Sequence, residues 1–339
     1  MNLYVHFPFC RRKCTYCALH SRAGSSAEAR AKHVEQVAAE TKKIAETLST
    51  VYFGGGSPAL CDLSPLLDTL RPLLAEDCEF TVELHPLDVR QDLLEVLKAG
   101  GVNRISMGVQ SLDDATLARM GRGYTFDEAE RAFALVRRYF DNAGIDLIIG
   151  YPGDSTKTDE AKRRLSRLAG WGLKHCSAYS LILEESSILA KRKSELDALP
   201  DDDTVLDEIR DMAKFLASIE LKRYEISNYS VPGFECRHNM AVWRGEDYIG
   251  LGEGAHGRIG LSRTVSGKVT ETMTAEEDAT ERRIFRLRTI EGLDAAGHPR
   301  WMKTLDRFYD EGFVLKQGSI YRLTERGTEV CDSLLAELV

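Results

Sequence analysis

No apolar run in the 339 residues reaches the roughly 18 needed to cross a bilayer, so no transmembrane helix is expected. The first residues, Met1-Asn2-Leu3-Tyr4-Val5-His6-Phe7, carry neither a basic leader nor a small-residue cleavage site, which speaks against a secretory signal. Positive charge is in short supply. The 45 Lys and Arg against 53 Asp and Glu leave a net charge of −8, which argues against a nucleic-acid partner. Low-complexity segments and internal repeats beyond a strand–helix unit are also missing. What remains is a soluble, cytoplasmic protein, with peripheral membrane contact and oligomeric state left open. Hydrophobic residues at 43% suffice for a large core, and the length suits two domains or one barrel with an appendage.

Eight cysteines in a cytosolic chain do not read as a disulfide framework, because cytosolic redox buffers keep thiols reduced. Cys61, Cys78, Cys176, Cys236 and Cys331 are scattered singly, as small buried hydrophobes are. Cys10, Cys14 and Cys17 crowd one loop in a C-x3-C-x2-C spacing directly after the first expected strand. Three thiolates on one short loop can converge on an iron–sulfur cube and leave one iron open to a non-protein ligand. Arg11, Arg12 and Lys13 are expected to lower the thiol pKa values. The alternatives are a zinc site completed by His6 or His20, and three unrelated thiols.

Strand-like runs at Leu3–Phe7, Thr50–Phe53, Glu79–Leu84, Asn103–Val109, Ile145–Ile149 and His175–Leu183 alternate with helical patterns. The helices are expected at Ser26–Leu48, Ser64–Leu74, Val89–Ala99, Phe126–Phe140 and Lys157–Trp171. Such alternation implies a parallel sheet, and six units are too few for a closed eight-unit barrel. An α/β fold follows: an open, partial (β/α)6 barrel over residues 1–185. Residues 186–270 should hold a helix capped by Asp201-Asp202-Asp203 and running to Leu221, then an irregular, aromatic and Gly-rich stretch over Tyr224–Gly267. Residues 271–339 read as helix, helix, two short strands and a helix over Thr324–Leu338. That order suits a small winged-helix-like C-terminal domain, and its lack of basic charge favours packing or a lid over DNA binding.

The cysteine loop, with Tyr16 before its last cysteine, resembles the radical S-adenosylmethionine (SAM) superfamily. Tyr4-Val5-His6-Phe7-Pro8-Phe9-Cys10 resembles the oxygen-independent coproporphyrinogen oxidase branch, and the later motifs are most similar to haem chaperones of the HemW type. The resemblance implies a [4Fe-4S] cluster on Cys10, Cys14 and Cys17, with SAM on the fourth iron. It further implies SAM contacts from Tyr4, Tyr16, Gly55, Gly56, Ser57, Glu83, Gln110, Arg122 and Asp146, the last toward ribose. Glycines let a backbone approach a ligand closely, and polar groups at C-terminal strand ends are where barrels concentrate their sites. The Gly54-Gly55-Gly56-Ser57-Pro58 loop is not a phosphate loop, since no Gly-Lys-Ser/Thr follows. Gly252-Glu253-Gly254-Ala255-His256-Gly257 matches a dinucleotide fingerprint in letters, yet a strand-like run follows it where a helix is required.

Cys236-Arg237-His238-Asn239-Met240-Ala241-Val242-Trp243 resembles the His-Asn-x-x-Tyr-Trp segment of the haem chaperones, with Val242 in place of Tyr. The resemblance implies haem as cargo, with His238 as donor to iron and Trp243 as wall. His256, Met240 and Tyr248 are the alternatives. The expected function is a haem chaperone that delivers haem to an acceptor haemoprotein. The alternative is a radical SAM enzyme acting on a porphyrinogen, such as a coproporphyrinogen III dehydrogenase. Leu19, where those enzymes carry a fourth cysteine, and the absence of their N-terminal extension argue against that activity. Ala18 and His85 also depart from the family pattern.

Overall fold

The structure is a computed structural model and describes residues 1–154 and 158–338. Six parallel strands stand side by side in chain order: β1 (Asn2–Phe7), β2 (Leu48–Gly55), β3 (Leu74–Leu84), β4 (Arg104–Gln110), β5 (Asn142–Ile149) and β6 (His175–Ser180). All six overlap the strands read from the sequence. Between them run α1 (Ala27–Thr41), α2 (Ser64–Leu70), α3 (Gln91–Ala99), α4 (Asp114–Met120), α5 (Phe126–Val136) and α6 (Asp159–Leu168). The first helix stops at Thr41, short of Leu48, because Leu48 already opens β2. The start expected at Lys157 lies outside the described residues. α4 is a helix the sequence reading lacked. Its seven residues are too few for a periodic stripe, although Asp113 caps it and Gly121 ends it in the left-handed region.

The two faces of the sheet differ. Leu3, Val5, Val51, Phe53, Phe80, Val82, Ile105 and Met107 are fully buried in one apolar core shared with the helices. In-register neighbours on the other face are polar: Tyr4, Tyr52, Thr81 and Arg104 form one row, and Gly108, Asp146 and Ser177 another. A closed barrel fills its interior with branched apolar side chains. This open one keeps a hydrophilic lining.

Both edges are extended, giving a sheet of 12 strands. β7 (Lys222–Arg223) and β8 (Asn228–Ser230) add antiparallel to β6. On the far side β9 (Tyr248–Leu251) lies parallel to β1, followed by a meander of β10 (His256–Ile259), β11 (Ser262–Val265) and β12 (Lys268–Thr272). The stretch expected to be irregular is therefore largely built. Its strands are short, and Gly252, Gly254, Gly260 and Gly267, all at positive φ, turn the chain between them. It also contains α8 (Arg237–Trp243), which follows α7 (Asp202–Ser218), the helix that Asp201 caps as expected.

The C-terminal elements are α9 (Ala275–Arg286), β13 (Leu293–Asp294), α10 (Pro299–Asp310), β14 (Val314–Gln317), β15 (Ile320–Leu323), α11 (Glu325–Glu329) and α12 (Cys331–Ala336). They share a separate core of Leu293, Trp301, Leu305, Phe308, Val314 and Tyr321. The single helix expected over Thr324–Leu338 is broken at Val330, whose backbone leaves the helical region.

Candidate cofactor site at the barrel mouth

β1 delivers the cysteine loop to the C-terminal ends of the strands, and local bonds fix it there. Arg22 N–H donates to the Pro8 carbonyl at 2.8 Å, and Thr15 N–H to the Met120 carbonyl at 3.0 Å. Lys13 Nζ ties the loop's far side through the Leu19 carbonyl at 2.6 Å and Ser21 Oγ at 2.9 Å. Cys10, Cys14 and Cys17 stay partly exposed while the other five cysteines are buried. The expected charge assignment needs correction. Arg11 is committed to Asp88 at 2.5 Å, and burial raises the pKa of Cys10 and Cys17, outweighing Lys13. The cation beside a loop thiol is instead Arg122, whose Nη1 lies 3.5 Å from Cys14 Sγ.

A shared zinc ion does not suit this loop. His6 Nε2–H donates to the His20 carbonyl at 2.7 Å, so its Nδ1 accepts from the Tyr4 hydroxyl at 2.9 Å. His20 Nε2 pairs with Glu253 at 2.9 Å. Among the described residues no three His, Cys, Asp or Glu side chains converge on one ion. Thiolates that each bind a separate iron stand further apart than those sharing one metal.

The glycine loop leans directly on the cysteine loop. Gly56 and Ser57 N–H groups donate to the Phe7 and Phe9 carbonyls, each at 2.7 Å. A Cβ on Gly56 would stand 2.3 Å from the Phe9 carbonyl oxygen and 2.9 Å from Cys10 Sγ, so only glycine fits. Gly55, at φ +103°, donates its N–H to Glu83 Oε2 at 3.2 Å. Ser57 turns its hydroxyl away to Asp88 at 2.5 Å. Asp88 thereby joins the cysteine loop, through Arg11, to the glycine loop, a role no sequence motif announces.

Glu83 also accepts from the Tyr52 hydroxyl at 2.9 Å. Burial and the nearby Asp146 charge push its pKa up to about 7, against the pull of Tyr52 and Gly55. Asp146 accepts from Ser106 Oγ at 3.0 Å. Gln110 sits at a register shift at the end of β4 with φ +73°, a left-handed conformation that costs a non-glycine residue energy and collects at functional sites. Its Oε1 accepts from the Tyr179 hydroxyl at 3.4 Å. Arg122 is braced by the Gly108 carbonyl at 2.6 Å and by Tyr124 at 3.1 Å. The unusual His85 caps a short turn, accepting from Leu87 N–H at 3.2 Å, and burial with Arg122 and Arg11 nearby holds it neutral, at a pKa of about 2. Tyr4, Tyr16, Cys17, Tyr179 and His256 line one open cleft of about 580 Å³ above this floor.

His238 and Trp243 face different surroundings. His238 is buried, its Nδ1 2.8 Å from Thr50 Oγ1 and its ring among Tyr4, Tyr52 and Tyr248. Trp243 faces the C-terminal elements, edge-on to Phe285 and under Arg288. Five residues along a helix turn the side chain well round the axis. α8 closes the opposite, N-terminal end of the barrel, with Glu79 accepting from the Arg237 and His238 N–H groups at 3.0 and 3.1 Å. Met240 is buried in the same plug.

The sequence signature of the Radical SAM superfamily matches residues 4–165, and the barrel with its cysteine loop is a protein of that class. Membership implies a [4Fe-4S] cluster and SAM. The chain is 35% identical over 277 residues to the haem chaperone HemW of Mycobacterium tuberculosis (strain CDC 1551 / Oshkosh), covering 77% of this chain and 70% of the relative. Against the HemW of Escherichia coli (strain K12) it is 29% identical, with 99% of this chain and 97% of the relative covered. It belongs to the HemW family of haem chaperones. The fold matches that of the coproporphyrinogen III oxidase HemN from Escherichia coli, with a TM-score of 0.83 at 20% identity over 99% of this chain and 89% of that one. No helix among the described residues is long and apolar enough to cross a membrane.

Proposed function

We propose that the protein is a cytoplasmic haem chaperone that holds a [4Fe-4S] cluster and SAM at the barrel mouth, takes up haem and passes it to an acceptor haemoprotein. The observation that carries this reading, beside the family, is the contact between the cysteine and glycine loops. Gly56 has no room for a side chain against Phe9 and Cys10, so the backbone of the glycine loop stands directly beside the Cys10 thiol. The residues fit the cofactors. Cys10, Cys14 and Cys17 would hold three irons. Glu83, Gln110 and Arg122 would receive the amino-acid part of SAM, with Gly55 and Gly56 as backbone partners. Asp146 would accept from ribose, and Tyr4 and Tyr16 would form walls. Ser57 serves indirectly, by holding Asp88. When bound, the cluster supplies single electrons and SAM a cleavable sulfonium.

On this reading residues 1–185 are the cofactor barrel, 186–270 complete both sheet edges and plug the barrel, and 271–339 are a packing domain. The structural match to a coproporphyrinogen oxidase keeps a second reading in view, an enzyme acting on a porphyrinogen. One experiment separates them. Anaerobically reconstituted protein is titrated with haem, mixed with an apo-haemoprotein, and separately incubated with coproporphyrinogen III, SAM and a reductant. Haem binding and transfer without protoporphyrinogen are expected. Sustained protoporphyrinogen formation would overturn the chaperone reading.

A further inference from the structure

Two loops meet at one point of the barrel mouth, where Gly56 stands against Phe9 and Cys10. The residues that directly follow the two sides of that contact are Arg11 and Ser57, and both reach the same carboxylate. Arg11 Nε donates to Asp88 Oδ1 and Ser57 Oγ to Asp88 Oδ2, each at 2.5 Å. One oxygen thus serves each loop. The Asp88 side chain has no solvent exposure, whereas that of Arg11 is about half exposed. Pairing an exposed arginine gains little, and burying a carboxylate carries a desolvation cost. Stability alone is a weak reason for such a bridge.

Asp88 also has a fixed place relative to the rest of the site. It closes the turn Pro86–Asp88, shortly after Glu83, and its N–H donates to the His85 carbonyl at 2.8 Å. His85 packs edge-on to Tyr124, with ring centroids 5.1 Å apart. The Tyr124 hydroxyl accepts from Arg122 Nε and donates to the Val109 carbonyl at 2.7 Å. One short turn therefore connects the cysteine loop, the glycine loop, the end of β3 and the segment that carries Arg122.

We infer that Asp88 is a positioning residue for SAM, which fixes the spacing between the cysteine and glycine loops that a ligand held by both must span. This rests on the cofactor reading above. A cluster on Cys10, Cys14 and Cys17 needs only the cysteine loop. SAM, on the open iron and on the Gly55 and Gly56 backbone, needs the two loops in register. A ligand that bridges two elements loses affinity when their spacing is left free, because binding must then also order them. Both Asp88 oxygens are taken by Arg11 and Ser57, so the carboxylate acts through those residues. Ser57 in turn acts on SAM through Asp88 and not by direct contact.

The test is a SAM titration of the anaerobically reconstituted, reduced full chain. It is followed by the change that SAM makes in the electron paramagnetic resonance spectrum of the cluster, with iron measured beforehand. Asp88→Ala should keep the parental iron and bind SAM about tenfold more weakly, the order of one charge-assisted hydrogen bond. Asp88→Asn can still accept from Arg11 and donate to Ser57, and should return to within about threefold of the parent. Arg11→Met and Ser57→Ala each cut one link and should each weaken binding by a smaller factor, so the inference is decided even if Asp88→Ala does not fold. Adding Ser57→Ala to Asp88→Ala should change nothing further. Parental SAM affinity in Asp88→Ala, or in both single-link variants, would overturn the inference. So would a further loss on adding Ser57→Ala, which would place Ser57 directly on SAM, or a loss of iron in Asp88→Ala, which would make Asp88 a support of the cysteine loop alone. Failure of the parent to bind SAM would instead overturn the cofactor reading on which it stands.

Discussion

The two ends of the barrel use the same kinds of residue for opposite purposes. At the mouth stand Cys10, Cys14 and Cys17, Glu83, Arg122 and His256. At the plugged end stand Cys236, Glu79, Arg104 and His238. In the plug Glu79 takes two backbone N–H groups and lies 3.6 Å from Cys236 Sγ, and Tyr224 OH bonds His175 at 2.7 Å, while Arg104 Nε and His175 Nδ1 are buried without a partner. At the mouth the thiols stay partly exposed, a non-glycine residue is held at positive φ, and a carboxyl is pushed up in pKa. Residue type therefore says little about role. What separates the two ends is access: the mouth thiols are partly exposed beside an open cleft, while Cys236, Glu79, Arg104 and His238 are buried.

The comparison breaks most visibly at the cysteines. Replacing Cys10, Cys14 or Cys17 with Ser should abolish the broad visible absorption and most iron of reconstituted protein, because in the proposed cluster each thiol would hold its own iron. Cys61→Ser, Cys236→Ser and Cys331→Ser should keep both. Iron analysis decides it, and zinc in place of iron in the anaerobic preparation would end the cluster reading.

Glu79→Ala tests the plug. It strands two buried N–H groups, each costing about 1–3 kcal/mol, so unfolding in urea should show a loss of about 4 kcal/mol. Iron content should be unchanged. A parental urea midpoint would show that the plug contributes nothing to stability.

Glu83 gives the mouth a pH signature of known sign. Its carboxyl stays protonated in the folded chain up to a pH of about 7, against an ordinary value of 4.5. Between these values the unfolded chain releases the proton and the folded chain keeps it, so stability falls as pH rises, by about 3 kcal/mol across the window. Glu83→Gln should remove that slope, read as urea midpoints from pH 4.5 to 8. A slope equal to the parent's would place the strain elsewhere.

Arg122 offers the finest distinction. A cation donating to a cluster thiolate favours the more negative, reduced state, so Arg122→Met should lower the midpoint potential by about 50 mV, the equivalent of roughly 1 kcal/mol for a one-electron couple. Arg104, confined to the plug side, should leave the potential unmoved when replaced. Redox titration followed by electron paramagnetic resonance reads both.

Much of this was legible in the sequence. The six strands, the cysteine loop and the C-terminal order of elements follow from periodicity and spacing. The decoy glycine motif also fails as expected, because β10 and not a helix follows it. The edge strands were less legible, since β7, β8 and β9 have only two to four residues each, too few to show alternation. Asp88 was invisible because its partners, Arg11 and Ser57, are 77 and 31 residues away. The surroundings of His238 were illegible for another reason. A motif fixes neighbours along a helix, and says nothing of which barrel end that helix closes.

The pairing of β1 with β9 has a kinetic meaning. Asn2 lies opposite Tyr248 and Val5 opposite Leu251, so one edge of β1 waits for a partner made 246 residues later (248 − 2). Until then its backbone donors and acceptors are open to any other strand. Contacts of such sequence separation slow folding and prolong exposure to aggregation. The C-terminal strands pair over shorter spans, β14 with β15 across a two-residue turn and Leu293 with Tyr321. During synthesis the barrel is thus the slow, vulnerable part, and the free edge of β1 is covered only when β9 is made.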